Sequence, residues 1–585
     1  LAKGRNRYAC PARMAELAGQ QTTNDVLFDD LDVAAWTRPP KDGEAKLVER
    51  LLRDVGTPRW DGDLDNPPTP LTDELKPMLT VAPGACTGRR CPFYKQCPAQ
   101  LARNEIKKAS VIVSNHDLTI ASLKQSLMGE TDAPNFLSEP DKTLYVFDEG
   151  HTLARIAVDR SAEAVHLPSA MTRAGKLRKL LAAVFRFTGA STISGKTLAE
   201  LHTSIEAYVE RLTAIDRAIQ AEWTPDTNEY TPQWRATLGR LPTHWRDMAI
   251  ECRTTCFEVY SALMSSLTEI AAEDGKQDVR DKLTKQVGMA AEQIEDALAL
   301  WRHWSGAEDQ APPVARWVGL GSDHGIVCHA SEISAAPFLR EALWNCADSV
   351  VLTSATLSEG GDFSLLVNQL GAPAETEIVS LPSPFDLEGQ ARLSVPKFPV
   401  LPDHPEHPKA IAEWLASNVD WEQGTLVLFT SRRKMQACAD ALPATLRQKV
   451  RVQGDLPKQE TLRLHTQDIK RGQGAVLFGL LSLGEGLDLP GELLTHVVCT
   501  QIPFAVPTDP VGATLSEWVE AQGGNAFFDI AVPAAIRTLT QFAGRLIRTE
   551  SDRGTVTLLD RRVVSKRYGR TILDALPPFR RDIAA

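Results

Sequence analysis

Asp148 and Glu149 close the apolar run Thr143-Leu-Tyr-Val-Phe-Asp-Glu-Gly-His151. A strand that ends in two carboxylates suits nucleotide hydrolysis, with Asp148 holding Mg²⁺ and Glu149 orienting the attacking water. An acidic pair alone is a weak signal, because many strands end this way. Other polar groups follow in order. Ser354 and Thr356 come after Val350-Val-Leu-Thr353, supplying hydroxyls at a strand's carboxyl end, where open sheets place ligands. Gly484-Glu-Gly486-Leu-Asp488 follows the run at Val476, and Gln541-Phe-Ala-Gly-Arg545-Leu-Ile-Arg548 comes later still. Arg545 and Arg548 stand three apart, so on a helix both guanidinium groups share one face. A γ-phosphate is their natural partner.

Cys86, Cys91 and Cys97 lie close together, and Cys10 is the only other cysteine in the first 250 residues. Four thiolates make one complete metal site. The spacing is not the paired C-x2-C of a zinc ribbon, and Pro follows Cys10, Cys91 and Cys97. A following proline is familiar from iron–sulfur ligation, so an iron–sulfur cluster is the first reading and zinc the second. The remaining cysteines read as core. Cys252 and Cys256 lie one turn apart on an apolar helix face, and Cys328, Cys346, Cys438 and Cys499 read as small apolar fillers.

A phosphate loop is the missing partner of the acidic pair. Gly189-Ala-Ser-Thr-Ile-Ser-Gly195-Lys196-Thr197 resembles G-x4-G-K-[ST] but has one residue too many between its glycines. It also follows the acidic strand, where a phosphate loop would precede it. It reads as a loop between helices.

The elements that must position these groups are those of an α/β protein. Strand signals occur at Val111–Ser114, Tyr145–Phe147, Val350–Thr353, Leu426–Phe429, Val476–Phe478, Val497–Cys499 and Val556–Leu559, with helical segments among them. Residues 1 to about 105 are irregular and Pro-punctuated, which suits a small ligand-stapled domain. From about 160 to 310 the chain is rich in Leu, Ala, Glu and Arg, with apolar residues such as Ile205, Leu212, Ile215 and Ile219 at helical spacing.

The 585 residues carry a net charge of −11, the wrong sign for indiscriminate coating of nucleic acid. Contact with phosphate backbone would need local basic clusters. Candidates are Arg89-Arg90, Lys107-Lys108, Arg432-Arg433-Lys434, and Arg561-Arg562 with Lys566, Arg567 and Arg570. No run of 18 apolar residues predicts a membrane span, and no leader is recognisable, so a cytoplasmic setting and reduced thiols are expected.

In their order along the chain, these motifs resemble the DinG branch of the XPD-like, iron–sulfur-containing superfamily 2 DNA helicases. Phe147-Asp-Glu-Gly-His151 is similar to motif II, Leu352-Thr-Ser-Ala-Thr-Leu357 to motif III, and Phe429–Arg432, Val452–Asp455, Gly484–Asp488 and Gln541–Arg548 to motifs IV to VI. The resemblance covers essentially the whole chain. It implies two RecA-like motor domains, the first incomplete, with an inserted iron–sulfur domain and an inserted α-helical Arch domain. The corresponding ranges are 1–107 for the iron–sulfur domain, 108–160 with 311–384 for motor domain 1, 161–310 for the Arch, and 385–585 for motor domain 2.

The resemblance further implies ATP with Mg²⁺ at Asp148, water positioned by Glu149, and coupling of hydrolysis to movement by His151. Gln541, Arg545 and Arg548 would reach the nucleotide, Ser354, Thr356, Gly486 and Asp488 would line its site, and Cys10, Cys86, Cys91 and Cys97 would ligate a [4Fe–4S] cluster. The expected activity is 5′ to 3′ unwinding by a monomer on single-stranded, forked or tailed DNA, in repair or replication-associated unwinding. A family member would carry a phosphate loop before Leu1, so the chain reads as amino-terminally truncated and inactive alone. A DNA-binding redox sensor is the alternative, which the Arg545–Arg548 pair disfavours.

Overall fold

The computed structural model describes all residues except 20–40, 42, 82–85, 87, 89–90, 128–136, 138, 227–230, 308–310, 485–486, 488, 505–508 and 585. The chain divides into two units: one of residues 1–145, 153–351 and 510–515, the other of residues 146–152, 352–509 and 516–585.

In the first unit, short helices α1 (Pro11–Leu17), α2 (Glu44–Asp54) and α3 (Pro98–Ile106) surround a small core that includes Met14, Leu17, Val48, Leu51, Trp60 and Leu79. Pro11 and Pro98 each open a helix, with Cys10 and Cys97 as the preceding caps. The fixed φ of proline suits that first helical position, and its missing N–H costs nothing there. The prolines after these two cysteines therefore have a local structural role.

The expected strand at Val111–Ser114 is absent. The segment is irregular, with Val111 81% and Val113 60% exposed, and apart from one bond from the Ala2 amide to the Val113 carbonyl it joins no strand among the described residues. β-branched residues favour a strand only where a neighbour offers hydrogen bonds and packing. Strand β1 (Leu144–Asp148) does form, with Tyr145 and Phe147 buried.

Residues beyond β1 build a helical body: α4 (Leu167–Thr188), α5 (Leu198–Glu222), α6 (Thr243–Ala272) and α7 (Gln277–Trp304). Leu201, Ile205, Leu212, Ile215 and Ile219 of α5 are buried, as three- and four-residue spacing demands. Cys252 and Cys256 are fully buried on α6, and burial pushes the Cys256 thiol up to about 12, so both behave as apolar core residues. The Gly189–Thr197 segment is an interhelical loop. Gly189 takes the left-handed conformation that ends α4, while Thr197 and Glu200 form a reciprocal cap on α5.

The helical body also contains a sheet that its composition did not suggest. Strands β2 (Glu163–His166), β3 (Gln233–Arg235), β4 (Val314–Leu320) and β5 (Ile326–Glu332) form an antiparallel sheet in the order β2-β5-β4-β3. Val314, Val318, Cys328 and Ala330 share the core of the helices. The shared core thus continues past residue 310, where the helical composition ends. Strand β6 (Ser349–Thr353) pairs with β1 in a separate two-stranded sheet. Between them, Cys346 is exposed and donates to the Glu341 carbonyl, so it is not the apolar filler expected.

The second unit is organised by a seven-stranded parallel sheet. Its strands are β7 (Ala391–Val395), β8 (Gly424–Phe429), β9 (Val450–Val452), β10 (Ala475–Leu480), β11 (His496–Cys499), β12 (Gly554–Leu558) and β13 (Arg580–Ile583), in the order β13-β7-β12-β11-β8-β10-β9. All six residues of β8 are buried. Its alternate side chains serve different layers: Leu426 and Leu428 enter one core, Val427 and Phe429 the other. Burial on both faces is why the central strands read as continuous apolar runs.

Candidate active site and cysteine centre

Asp148 and Glu149 are exposed at the end of β1, where the backbone turns sharply. Glu149 has φ of 53°, a left-handed conformation uncommon for a side chain of its kind, and its N–H donates to Asp148 Oδ1 at 3.0 Å. Gly150 follows because a Cβ there would lie 3.1 Å from the Leu352 Cβ. The chain thus re-aims within three residues, from the two exposed carboxylates to His151.

His151 is the centre of a polar network. Its side chain is only 9% exposed. Gln541 Nε2 donates to His151 Nε2 at 2.7 Å. Nδ1 then carries the ring proton and faces Ser354 Oγ and Thr356 Oγ1, each at 3.1 Å. Ser354 Oγ in turn donates to Glu149 Oε2 at 2.5 Å. Three sequence-distant segments, Glu149–His151, Ser354–Thr356 and the turn of Gln541, are thereby joined through one imidazole.

Gln541 sits in the last turn of helix α8 (Val532–Ala543), whose apolar face is buried against the sheet core. The two arginines do not share that helix. It ends at Gly544, and Arg545 and Arg548 occupy the turn that follows. They converge by another route: Arg545 Nη1 and Arg548 Nη2 both donate to the Leu487 carbonyl, at 3.1 and 3.2 Å. Gly486 and Asp488, flanking Leu487, lie outside the described residues.

The turn is held by residues that motif reading missed. Asp552 Oδ2 accepts from the Arg548 and Thr549 amides at 2.8 and 2.9 Å, and the buried Gln390 amide donates to the carbonyls of Thr549, Glu550 and Asp552. These amide bonds hold the Asp552 carboxyl below its ordinary range despite burial, which opposes them. The Thr-x-x-Asp spacing at 549–552 is the local signal for such a turn.

Cys10, Cys86, Cys91 and Cys97 line one small cavity, walled also by Tyr8, Phe93 and Tyr94. Burial, reinforced by the other three sulfurs, pushes the Cys10 thiol up to about 11. Among the described residues no three His, Cys, Asp or Glu side chains close on a single ion. Arg103 is half-buried, its charge disfavoured by partial burial and by Arg5 but favoured by Cys86 and Cys97. Neither arginine was a sequence candidate.

The basic clusters divide. Lys434 Nζ is spent on the Pro402 carbonyl and Gln501, Arg562 on Asp560, and Lys108 on Glu105. Arg89 and Arg90 lie outside the described residues. Arg432, Arg433, Arg561, Lys566 and Arg567 are exposed. Among the described residues no helix is long and apolar enough to cross a membrane.

Residues 415–579, the heart of the parallel-sheet unit, match the helicase C-terminal domain family, and helicases are the class to which the sheet and its polar network point. The protein named ATP-dependent DNA helicase DinG of Photobacterium profundum is 32% identical over 595 aligned residues, spanning 100% of this chain and 83% of that protein. Its namesake from Escherichia coli (strain K12) is 31% identical, over 98% of this chain and 81% of its own length. A solved structure titled as an XPD helicase aligns at 16% identity and TM-score 0.46, covering 83% of this chain and 75% of its own. The chain belongs to the DinG family of ATP-dependent DNA helicases.

Proposed function

We propose that this protein is a 5′ to 3′ DNA helicase acting on single-stranded, forked or tailed DNA, and that His151 couples ATP hydrolysis to strand movement. The observation that carries this reading is the imidazole network from Gln541 through His151 to Ser354, Thr356 and Glu149. A change at the nucleotide that moves Glu149 must disturb His151, and with it α8. On this reading Asp148 holds Mg²⁺, Glu149 orients water, and Arg545 and Arg548 leave the Leu487 carbonyl to stabilise charge on the transferring phosphoryl group. Arginines in that role are worth about 10³–10⁵ in rate. Ser354 and Thr356 position His151, while Gly486 and Asp488 border the nucleotide.

Cys10, Cys86, Cys91 and Cys97 fit a [4Fe–4S] cluster. Four cysteines lining one cavity match its ligand set, and the prolines after Cys10, Cys91 and Cys97 suit iron–sulfur ligation. Bound there, the cluster would cross-link the segments that carry its ligands. Arg5 and Arg103 would offset its negative charge, and Tyr8, Phe93 and Tyr94 would wall it from water. We assign the motor domains, iron–sulfur domain and Arch to the ranges expected from the sequence, with the Arch extended to include β4 and β5. The setting we propose is a cytoplasmic monomer serving DNA repair or replication.

Strand displacement by the intact protein, on duplexes with a 5′ or a 3′ single-stranded tail, tests polarity. Only the 5′-tailed duplex should be unwound, and His151→Ala should hydrolyse ATP with displacement lost. Displacement of only the 3′-tailed duplex reverses the polarity. Cluster-dependent DNA binding with neither duplex unwound would return the reading to a redox sensor.

A further inference from the structure

At the carboxyl ends of β11 and β12, four aromatic side chains form a cluster that the polar network does not use. Phe504 and Phe527 have ring centroids 5.0 Å apart, Phe527 and Tyr568 5.1 Å, and Phe504 and Tyr568 5.4 Å. Phe528 stands edge-on to Phe527 at 5.5 Å. Phe504 and Tyr568 rest on the sheet core, whereas Phe527 is 37% and Phe528 44% exposed. Phe527 and Phe528 open a π-helical turn, Phe527–Ala531. Such turns insert a residue into the helical repeat and recur at functional sites.

The cluster is rigidly mounted. The fully buried Asp560 accepts from the Ile502 amide at 2.9 Å and from Arg562 Nη2 at 2.7 Å, tying the segments after β11 and β12 together. The Arg562 guanidinium then lies 5.8 Å from the centroid of Phe504. Beside Arg562 and Tyr568 in sequence, Arg561, Lys566 and Arg567 are exposed, and no ion pair with a carboxylate is formed by any of the three among the described residues. In a chain of net charge −11 such a local concentration marks a place for a polyanion.

We propose that Phe527, Phe528 and Tyr568 are a stacking platform for the bases of a single DNA strand, with Arg561, Lys566 and Arg567 holding its phosphates. Exposed π-faces beside a basic track bind single strands without regard to sequence, because every base has a face to stack. A core patch needs no basic rim, and a purely electrostatic site needs no exposed aromatic rings. The proposal rests on the DNA-acting reading above and adds to it the side chains that grip the bases.

The test compares binding of the full chain to an oligothymidylate and to an abasic strand of the same length and charge. Phe527→Ala and Phe528→Ala should each weaken oligothymidylate binding about tenfold while leaving abasic-strand binding within about twofold, which also reports that the variants are folded. Phe528→Leu, which keeps apolar packing but removes the π-face, should behave like Phe528→Ala. Lys566→Gln with Arg567→Gln should weaken both strands and lower the salt dependence by about 0.7 in log–log slope per lost phosphate contact. Equal losses on both strands, or no loss on either, would overturn the platform alone. Failure of the unaltered chain to bind either strand would remove the DNA-acting reading and the platform with it.

Discussion

Residues 1–106 bury a core of 11 described apolar side chains, whereas the parallel sheet is flanked by cores of 27 and 17. The polar groups of interest are held differently in consequence. Around the sheet, His151, Gln541 and the arginine turn are fixed by hydrogen bonds from elements that packing already orders. In the small region the four cysteines sit at helix starts and turns whose own core is slight, and regions of that size often need a covalent or metal staple. On the proposed cluster reading, the cysteine centre supplies structure while the sheet network consumes it.

The largest effect should follow from removing the staple. Cys91→Ser should reduce iron from about four per chain to well below one, and trypsin should then cleave within residues 1–106. Hydrogen exchange should meanwhile show the amides of β8 and β10 still protected, since their bonds lie in a sheet with its own cores. Iron loss that deprotects β8 as strongly as α1 would break the distinction. Stoichiometric zinc in place of iron would overturn the cluster assignment.

Within the sheet unit the stability should come from apolar packing. Leu428, 2% exposed on β8, should cost about 2–5 kcal/mol on Leu428→Ala, read from urea unfolding. A smaller cost than that of Cys91→Ser in its own region is not required, but a negligible one would mean the sheet is not self-supporting.

Acid should erode the sheet unit next. Burial pushes both His407 and His496 down to about 4, so the folded state keeps them neutral where the unfolded chain takes up protons. Stability is full above the unfolded value of about 6.5 and falls as pH drops towards 4, by at most about 1.4 kcal/mol per pH unit for each histidine. The urea midpoint should therefore drop between pH 7 and pH 5, and His407→Leu should flatten part of that slope. An unchanged slope would remove His407 from the account.

The smallest effect is expected at the rejected phosphate loop. Lys196 Nζ bonds Glu258 at 2.7 Å and Ser204 at 3.0 Å, with Lys196 and Glu258 side chains 36% and 41% exposed. Lys196→Ala should change stability by under about 1 kcal/mol and leave nucleotide binding by the intact protein unaltered. A large fall in nucleotide affinity would reinstate the loop.

Much of this was legible in the residue order. The apolar runs at 426–429, 476–478, 497–499 and 556–559 are central strands because residues buried on both faces leave a continuous hydrophobic signature. The helical spacing of α5 and α6, the placement of Cys252 and Cys256, and the capped loop at Gly189–Thr197 were equally readable, because helix faces and caps are local. The ordered motifs pointed to the family without any coordinate. Local pattern also misled where the outcome depended on neighbours: Val111–Ser114 has strand composition but pairs with no strand among the described residues, and β4 and β5 joined a helical core that composition had closed at 310.

Only the tertiary structure decided how the polar groups meet. Arg545 and Arg548 converge on the Leu487 carbonyl from a turn, through Asp552 and Gln390, and their three-residue spacing would have placed them on a helix. His151 finds Gln541 across 390 positions of sequence, and the exposed rings of Phe527 and Phe528 become one surface with Tyr568. Residue type and spacing determine which elements form, since those depend on interactions within a few turns of chain. Which side chains share a cavity or a hydrogen bond depends on long-range packing, and that is settled only when the cores close.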